Sequence, residues 1–382
     1  MRSILELLGE ASLLGLGVAG LAGAVVMPAA AAWALLVMGA LLAGLHLLSL
    51  TFVGPDHPWP TESADPRPMR LTAVDYGKAL VSWLLGFHRT YAVEPGLYYL
   101  GDHHDPAAPL LVTANYHLTV FLVARRARAA GARLLVIDSD GINVWCAAGK
   151  GRFGHEQILA QTSRYPDEVL SDRARPTLIL PKFGMPGVDL KVLREARMRP
   201  VIGPLYAKDI PAYLAAPPYR DAQHDRVDFG LASRVFVWLP GLLQVTALST
   251  LLAMAIWLAT LAWGGTVPLA VVGIAAALAT AYPLLYPWIP GHRFAVKGLW
   301  LGGLGGGAVL VASALGWLPW TASLVLVPFI LATGALIGLE FTGNSAVSNY
   351  SRVKREMAAF VPVTAVLYAV SLAAHLVLEV SS

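Results

Sequence analysis

The chain has one thiol, Cys146, set in the octet Asn143-Val144-Trp145-Cys146-Ala147-Ala148-Gly149-Lys150. The octet follows an apolar run, Leu134–Asp138, and an Asp140-Gly141 turn. Asn143 is a favourable helix N-cap, so Val144, Trp145 and Cys146 read as the opening positions of a short helix. A thiol there meets the positive end of the helix dipole and unpaired backbone N–H groups, both of which favour the thiolate. Ala147, Ala148, Gly149 and Gly151 leave little bulk around the sulfur. A large planar group could approach it, with Lys150 able to reach an acidic periphery. Taken alone, the thiol also reads as an ordinary buried small hydrophobe. A cysteine nucleophile with a histidine base is a third reading, though His117 and His155 have no spacing logic for it. A single cysteine excludes an intramolecular disulfide, a four-thiolate zinc site and an iron–sulfur cluster held by this chain. The run Gly149–Gly154 lacks the Walker spacing that ends in Lys-Ser/Thr.

The elements that must hold this octet are visible between Arg89 and Ala216. Leu97–Leu100, Leu110–Thr113, Leu134–Asp138, Thr177–Leu180 and Pro200–Ile202 read as strands. His117–Ala130, His155–Gln161, Leu190–Ala196 and Ile210–Ala215 read as helices. Continuous apolar strands alternating with helices predict an α/β domain on a mostly parallel sheet covered on both faces. Such sheets bind ligands outside the carboxyl ends of their strands. Those ends carry Thr113-Ala114-Asn115-Tyr116, Ser139–Asn143, Pro181–Gly187 (with Gly184, Pro186 and Gly187) and Gly203-Pro204. Upstream, Tyr76–Phe87 is amphipathic, suited to a membrane surface or to a core. Pro55–Pro68 holds five prolines in fourteen residues and reads as a linker without fixed structure.

Only 14% of the 382 residues are charged and 56% are hydrophobic, against roughly 25% charged in a soluble domain. Of the 28 basic and 24 acidic residues, 22 and 19 lie between Pro55 and Arg234. The flanks are lipid-soluble and the centre is water-soluble. Four segments follow: a transmembrane hairpin over 1–54, a linker with the amphipathic stretch over 55–88, the α/β domain over 89–234, and a transmembrane helical domain over 235–382. Apolar runs at Ala11–Met27, Ala31–Val53, Leu242–Trp263, Val267–Trp288, Leu299–Leu315, Trp317–Leu339 and Phe360–Leu378 approach the length of about 20 residues that a bilayer requires. Loops Pro290–Gly298 and Gly343–Met357 carry Arg293, Lys297, Arg352, Lys354 and Arg355, while Pro28–Ala30, Gly264–Thr266 and Gly316–Trp317 are uncharged. By the positive-inside rule the centre faces the cytoplasm of a multi-pass inner-membrane protein. Gly302, Gly303, Gly305, Gly306 and Gly307 suit close helix packing. A net charge of +4 without a basic, aromatic-rich stripe gives no case for nucleic acid.

NVWCAAGK resembles the signature of the mercury-methylating corrinoid protein family. PGLYYLG, LLVTANYHLT, VIDSDGINVWCAAGKGRFG, LILPKFGMPGV, VIGPLYAKDIPAYL and FTGNSAVSNYSRVKREM follow in the family's order and spacing. The likeness runs from about Arg89 to the C-terminus. It departs in the extra Met1–Val53 hairpin and in His117, where the family pattern has Lys. The resemblance implies a Rossmann-like corrinoid-binding domain, similar to that of the corrinoid iron–sulfur protein of acetyl-CoA synthesis, between the hairpin and about five C-terminal spans. It implies a cobalamin-type corrinoid with Cys146 as lower axial ligand of cobalt. Asn143 would cap the helix of Cys146, with Val144, Trp145, Ala147 and Ala148 shaping the lower face and Gly149 and Lys150 also binding the cofactor, Lys150 at its acidic periphery. Thr113, Ala114, Asn115, Gly184, Pro186, Gly187, Gly203 and Pro204 would contact the ring or its tail. The activity implied is methyl transfer from methyl-Co(III) to Hg(II), giving methylmercury. A ferredoxin-like partner with 4Fe-4S clusters would supply electrons, and a methyl-folate system the methyl group. Two other readings stand beside it. One is a corrinoid methyl carrier for another metalloid or a native acceptor; the other is a non-enzymatic membrane protein that binds or transports corrinoid.

Overall fold

The computed structural model describes residues 65–84, 91–169, 175–222, 227–243, 245, 266–345, 347–348 and 350–381. The expected hairpin, with Ala11–Met27 and Ala31–Val53, lies outside the described residues, as does nearly all of Leu242–Trp263. The chain divides into two compact units, with the boundary after Val227.

The N-terminal unit is built on a mixed six-stranded sheet: β1 (Arg67–Pro68), β2 (Gly96–Tyr99), β3 (Leu110–Ala114), β4 (Arg133–Ile137), β5 (Thr177–Leu180) and β6 (Arg199–Ile202). Their spatial order is β1-β2-β4-β3-β5-β6. All neighbours pair in parallel except β2 with β4. Strand order therefore reverses at β3, which has β4 on one side and β5 with β6 on the other. β1 corrects the reading of Pro55–Pro68 as a linker throughout. Pro68 is tolerated because β1 is an edge strand, and Arg67 anchors it through Glu94 Oε2 (2.6 Å), the Pro95 carbonyl (3.2 Å) and the Tyr98 hydroxyl (3.0 Å).

Alternate strand residues serve opposite faces. Leu110, Val112 and Ala114 of β3, Leu135 and Ile137 of β4, and Leu178 and Leu180 of β5 join one core. It is closed by α3 (Val144–Gly149), α4 (His155–Thr162), the single turn α5 (Pro166–Val169) and α6 (Leu190–Glu195). Leu111, Leu134, Val136, Ile179 and Val201 turn to the other face. That face is closed by Val120, Ala124 and Ala127 of α2 (His117–Ala127) and by Ile210 and Leu214 of α7 (Ile210–Leu214). Helix α1 (Ala73–Leu84) packs through Ala79 and Trp83 on Tyr116, Leu118 and Phe121.

The C-terminal unit is helical. It contains α8 (Leu231–Leu243), α9 (Thr266–Leu285), α10 (Phe294–Ala314), α11 (Trp320–Asn344) and α12 (Tyr350–Ser381). Among the described residues three stretches are long and apolar enough to cross a membrane: Phe294–Ala314, Trp320–Gly343 and Ser351–Leu378. Helices α10 and α11 pack antiparallel through small residues. A Cβ on Gly298 would collide with the Gly334 carbonyl, and one on Gly302 would lie 2.8 Å from the Ile330 carbonyl oxygen. Gly305 and Gly306 also face α11, whereas Gly303 and Gly307 face open space. The glycine stripe thus serves packing along one side only.

Two stretches read as loops begin helices instead. Helix α10 starts at Phe294, and the buried Lys297 ammonium within it donates to the Tyr286 (3.0 Å) and Ile289 carbonyls. Helix α12 starts at Tyr350, so Arg352, Lys354 and Arg355 lie on its first turns. The buried Glu356 carboxylate accepts the N–H groups of Phe294 (3.3 Å) and Ala295 (3.1 Å) and the Thr342 hydroxyl (3.2 Å). Charge marked these segments as loops, but the charge satisfies helix ends inside the unit.

Candidate functional site

Cys146 lies on α3, just beyond the carboxyl end of β4. Its helix forms as the sequence predicts. Asn143 is extended (φ −62°, ψ 156°), and its Oδ1 accepts the Cys146 N–H at 2.9 Å. One of the orphan donors of the first helical turn is thereby satisfied. The preceding turn is left-handed at both Asp140 (φ 58°) and Gly141 (φ 66°). Aspartate and glycine are among the residues that accept this conformation most readily.

What fixes the turn is Asn115, at the end of the neighbouring strand β3. Asn115 is 1% exposed, and its Oδ1 accepts Ser139 N–H (3.0 Å), Ser139 O–H (2.7 Å) and Gly141 N–H (3.0 Å). Its Nδ2 donates to Asp138 Oδ1 at 3.2 Å, and the same oxygen accepts the Asp140 N–H at 3.1 Å. One side chain thus ties the loop after β3 to the loop that launches α3. The Asn115 side chain is committed to the loop, and Thr113 and Ala114 are buried within β3.

The short 3-10 segment Lys182–Gly187 after β5 packs against α3. A Cβ on Gly184 would lie 2.5 Å from Phe153 Cε1 and 3.2 Å from Val144 Cγ1; one on Gly187 would strike the Phe153 carbonyl. At these two positions the missing side chain is what lets the segment meet α3 and the buried Phe153 ring. Pro186 between them is exposed. Gly203 is buried over Ile179, and Pro204 is half-buried. This pair follows β6, the outermost strand on that side and three positions from β4, roughly 14 Å at the usual strand spacing. The structure therefore gathers the segments after β3, β4 and β5 and sets Gly203-Pro204 apart.

The surface around the sulfur is low. Cys146, Trp145 and Asn143 are half-buried, Val144, Ala147 and Ala148 are buried, and Gly149 and Lys150 are exposed. Nothing lies within 4 Å of where a Gly151 Cβ would stand. Cys146 itself is partly buried and packs against the core on this face of the sheet, with small residues following it on the helix. Among the described residues no three histidine, cysteine or acidic side chains cluster to hold a bare metal ion.

The partners of two neighbours, Tyr116 and His117, escaped the sequence reading. Tyr116 is buried, its hydroxyl is 2.8 Å from Ser82 Oγ of α1, and it interacts electrostatically with Cys146. Burial pushes that hydroxyl well above its ordinary value, opposed by the Ser82 hydrogen bond. His117 opens α2 with its N–H on the Tyr91 carbonyl (3.2 Å) and its Nε2 3.2 Å from Asp75 Oδ1. Burial lowers the His117 pKa despite Asp75. Burial also works to raise the Asp75 carboxyl, but hydrogen bonds from Thr72 and His117 outweigh it, and the group sits below its ordinary value. Both partners come from remote sequence; the polar positions Asp75 and Ser82 on one side of an amphipathic helix were the available signal.

Comparison with known proteins adds no relative. No family model, curated protein or solved structure matches this chain.

Proposed function

We propose that this chain is a membrane-associated, corrinoid-dependent methyltransferase that passes a methyl group to Hg(II), forming methylmercury. The observation that carries the reading is the placement of Cys146. The NVWCAAGK octet forms a short capped helix at the carboxyl ends of the parallel strands β3 to β6, with Cys146 partly buried among small residues. The fold around it suits a Rossmann-like corrinoid domain. Open α/β sheets take ligands outside the strand ends where strand order reverses, and the loops after β3, β4 and β5 flank that place here.

When bound, the corrinoid supplies a cobalt-held methyl group, and that chemistry belongs to the cofactor. The protein supplies position and electron donation. Cys146 would hold the cobalt through a soft, strongly donating sulfur, and a corrinoid so held would supply methyl-transfer chemistry suited to a soft electrophile such as Hg(II). Asn143 holds the backbone of Cys146, and Asn115 holds the loop that aims it. Ala147, Ala148 and Gly149 keep the approach open, and Lys150 would meet acidic groups at the ring edge. With no cluster ligands in the chain, electrons would come from a ferredoxin-like partner and the methyl group from a methyl-folate system. Basic residues at one end of the helical unit, including Arg293, Arg352, Lys354 and Arg355, favour a cytoplasmic position for the catalytic domain by the positive-inside rule.

The test is methylmercury formation from Hg(II) in anaerobic cells expressing the full chain with a ferredoxin partner. Wild type should form it and Cys146→Ala should not. Equal activity in both, or methylation of another acceptor only, would overturn the reading.

A further inference from the structure

We infer that the outer face of α1, with the adjoining edge of α2, rests on an anionic lipid bilayer. The inner face of α1 is spent inside its own unit: Ala79, Val81 and Ser82 are buried, and Asp75 is held by Thr72 and His117. The outer face is apolar yet exposed, at 47% for Tyr76 and 51% for Leu80. The Tyr76 ring meets Phe121 of α2 edge-on at 4.8 Å, and Leu122, the next residue, is 39% exposed. The Arg125 guanidinium lies 5.6 Å from the centre of the Tyr76 ring, and Arg125, Arg126 and Arg128 are all exposed.

The charge pattern selects the occupant. Across α1, α2 and the turn after α2 the single acidic residue is Asp75, and it faces inward. A face with exposed Tyr and Leu, rimmed by arginines and free of acids, is the pattern of an interfacial helix on anionic headgroups. A second copy fits poorly, because the two sets of arginines would meet without an acid to pair them. A bilayer is at hand, since the same chain carries three helices able to span one. This inference is independent of the methyl-transfer proposal, and either can fail alone.

The experiment uses the full chain with p-benzoylphenylalanine in place of Leu80, reconstituted into phosphatidylethanolamine–phosphatidylglycerol vesicles, irradiated and analysed by mass spectrometry. Covalent lipid adducts at position 80 are expected. Each of Arg125→Ala and Arg126→Ala should lower their yield about fivefold, the worth of one basic residue near an anionic surface. Phosphatidylcholine vesicles should give few. The same photoprobe at Lys191, 81% exposed on α6, should give none. Adducts to protein alone, within the chain or to a second copy, would overturn the inference. So would lipid adducts as abundant in neutral vesicles, or at Lys191.

Discussion

Replacing Asn115 with alanine removes one carbonyl oxygen that serves three donors. The Ser139 hydroxyl keeps an alternative acceptor, the Ile142 carbonyl at 2.7 Å. The Ser139 and Gly141 N–H groups have no such fallback in the observed geometry, and both residues are buried. A buried donor left unpaired costs about 1–3 kcal/mol, so two of them, with some relaxation, should cost about 2–4 kcal/mol. The loss falls on the loop that aims α3. At about 1.4 kcal/mol per tenfold, hydrogen exchange at Ser139–Cys146 should accelerate roughly 30- to 700-fold in the full chain. Exchange in α6 should change far less. Alkylation of Cys146 should also quicken as its helix loosens. Asn115→Asp keeps the acceptor but sets a carboxylate against Asp138, so it should fall between the two. If exchange over Ser139–Cys146 changed less than about threefold in Asn115→Ala, the staple would not be what holds this loop.

Asn143→Ala removes the cap on the Cys146 N–H and should cost about 1 kcal/mol, read as roughly fivefold faster exchange at that amide; Asn143→Asp should restore most of it. Acid should weaken the α/β unit through His117. Its pKa is lowered in the folded state by burial, ahead of the opposing Asp75 effect. The unfolded chain therefore binds the proton more readily. Stability from this group is full above about pH 6.5, the ordinary histidine value, and falls as pH drops through the folded pKa. Asp75, also lowered when folded, adds a loss at still lower pH. A pH series of exchange at α1 and α2 tests this, and His117→Gln should flatten its first part. Gly334→Leu should break the α10–α11 pair, where backbone meets backbone. Overpacking of about 3 kcal/mol or more should appear as loss of a monodisperse detergent-solubilised peak, while Gly303→Leu, facing open space, should leave it intact.

Strands β2 to β6 were legible because each is a short, mainly apolar run that the sheet largely buries. Thr177–Leu180 matches residue for residue, β3 and β6 differ by one position at one end, β2 and β4 by one position at both ends, and β1 was not foreseen. The Asn143 cap was legible too, since it acts on the N–H three residues along. Partnerships across long stretches of sequence were not. Asn115 reaches Gly141 across 26 positions, and Glu356 reaches Phe294 across 62. No local pattern links such pairs, so Asn115 read as a ligand contact and the segment around Glu356 as a loop. The glycines over 302–307 announced close packing, but which of them face α11 depends on where α10 begins, and that start was misread. The Pro-rich approach to Pro68 hid an edge strand because its pairing depends on Arg67 meeting Glu94 and Tyr98.

The proposed function requires a bond between the Cys146 sulfur and cobalt. Cobalt K-edge X-ray absorption on the purified full chain, reconstituted with cobalamin, reads it directly. One cobalt–sulfur path in wild type, lost in Cys146→Ala while Asn115→Ala only broadens it, is the predicted result. The same cobalt environment in wild type and Cys146→Ala, or a wild-type chain that retains no corrinoid, would contradict it.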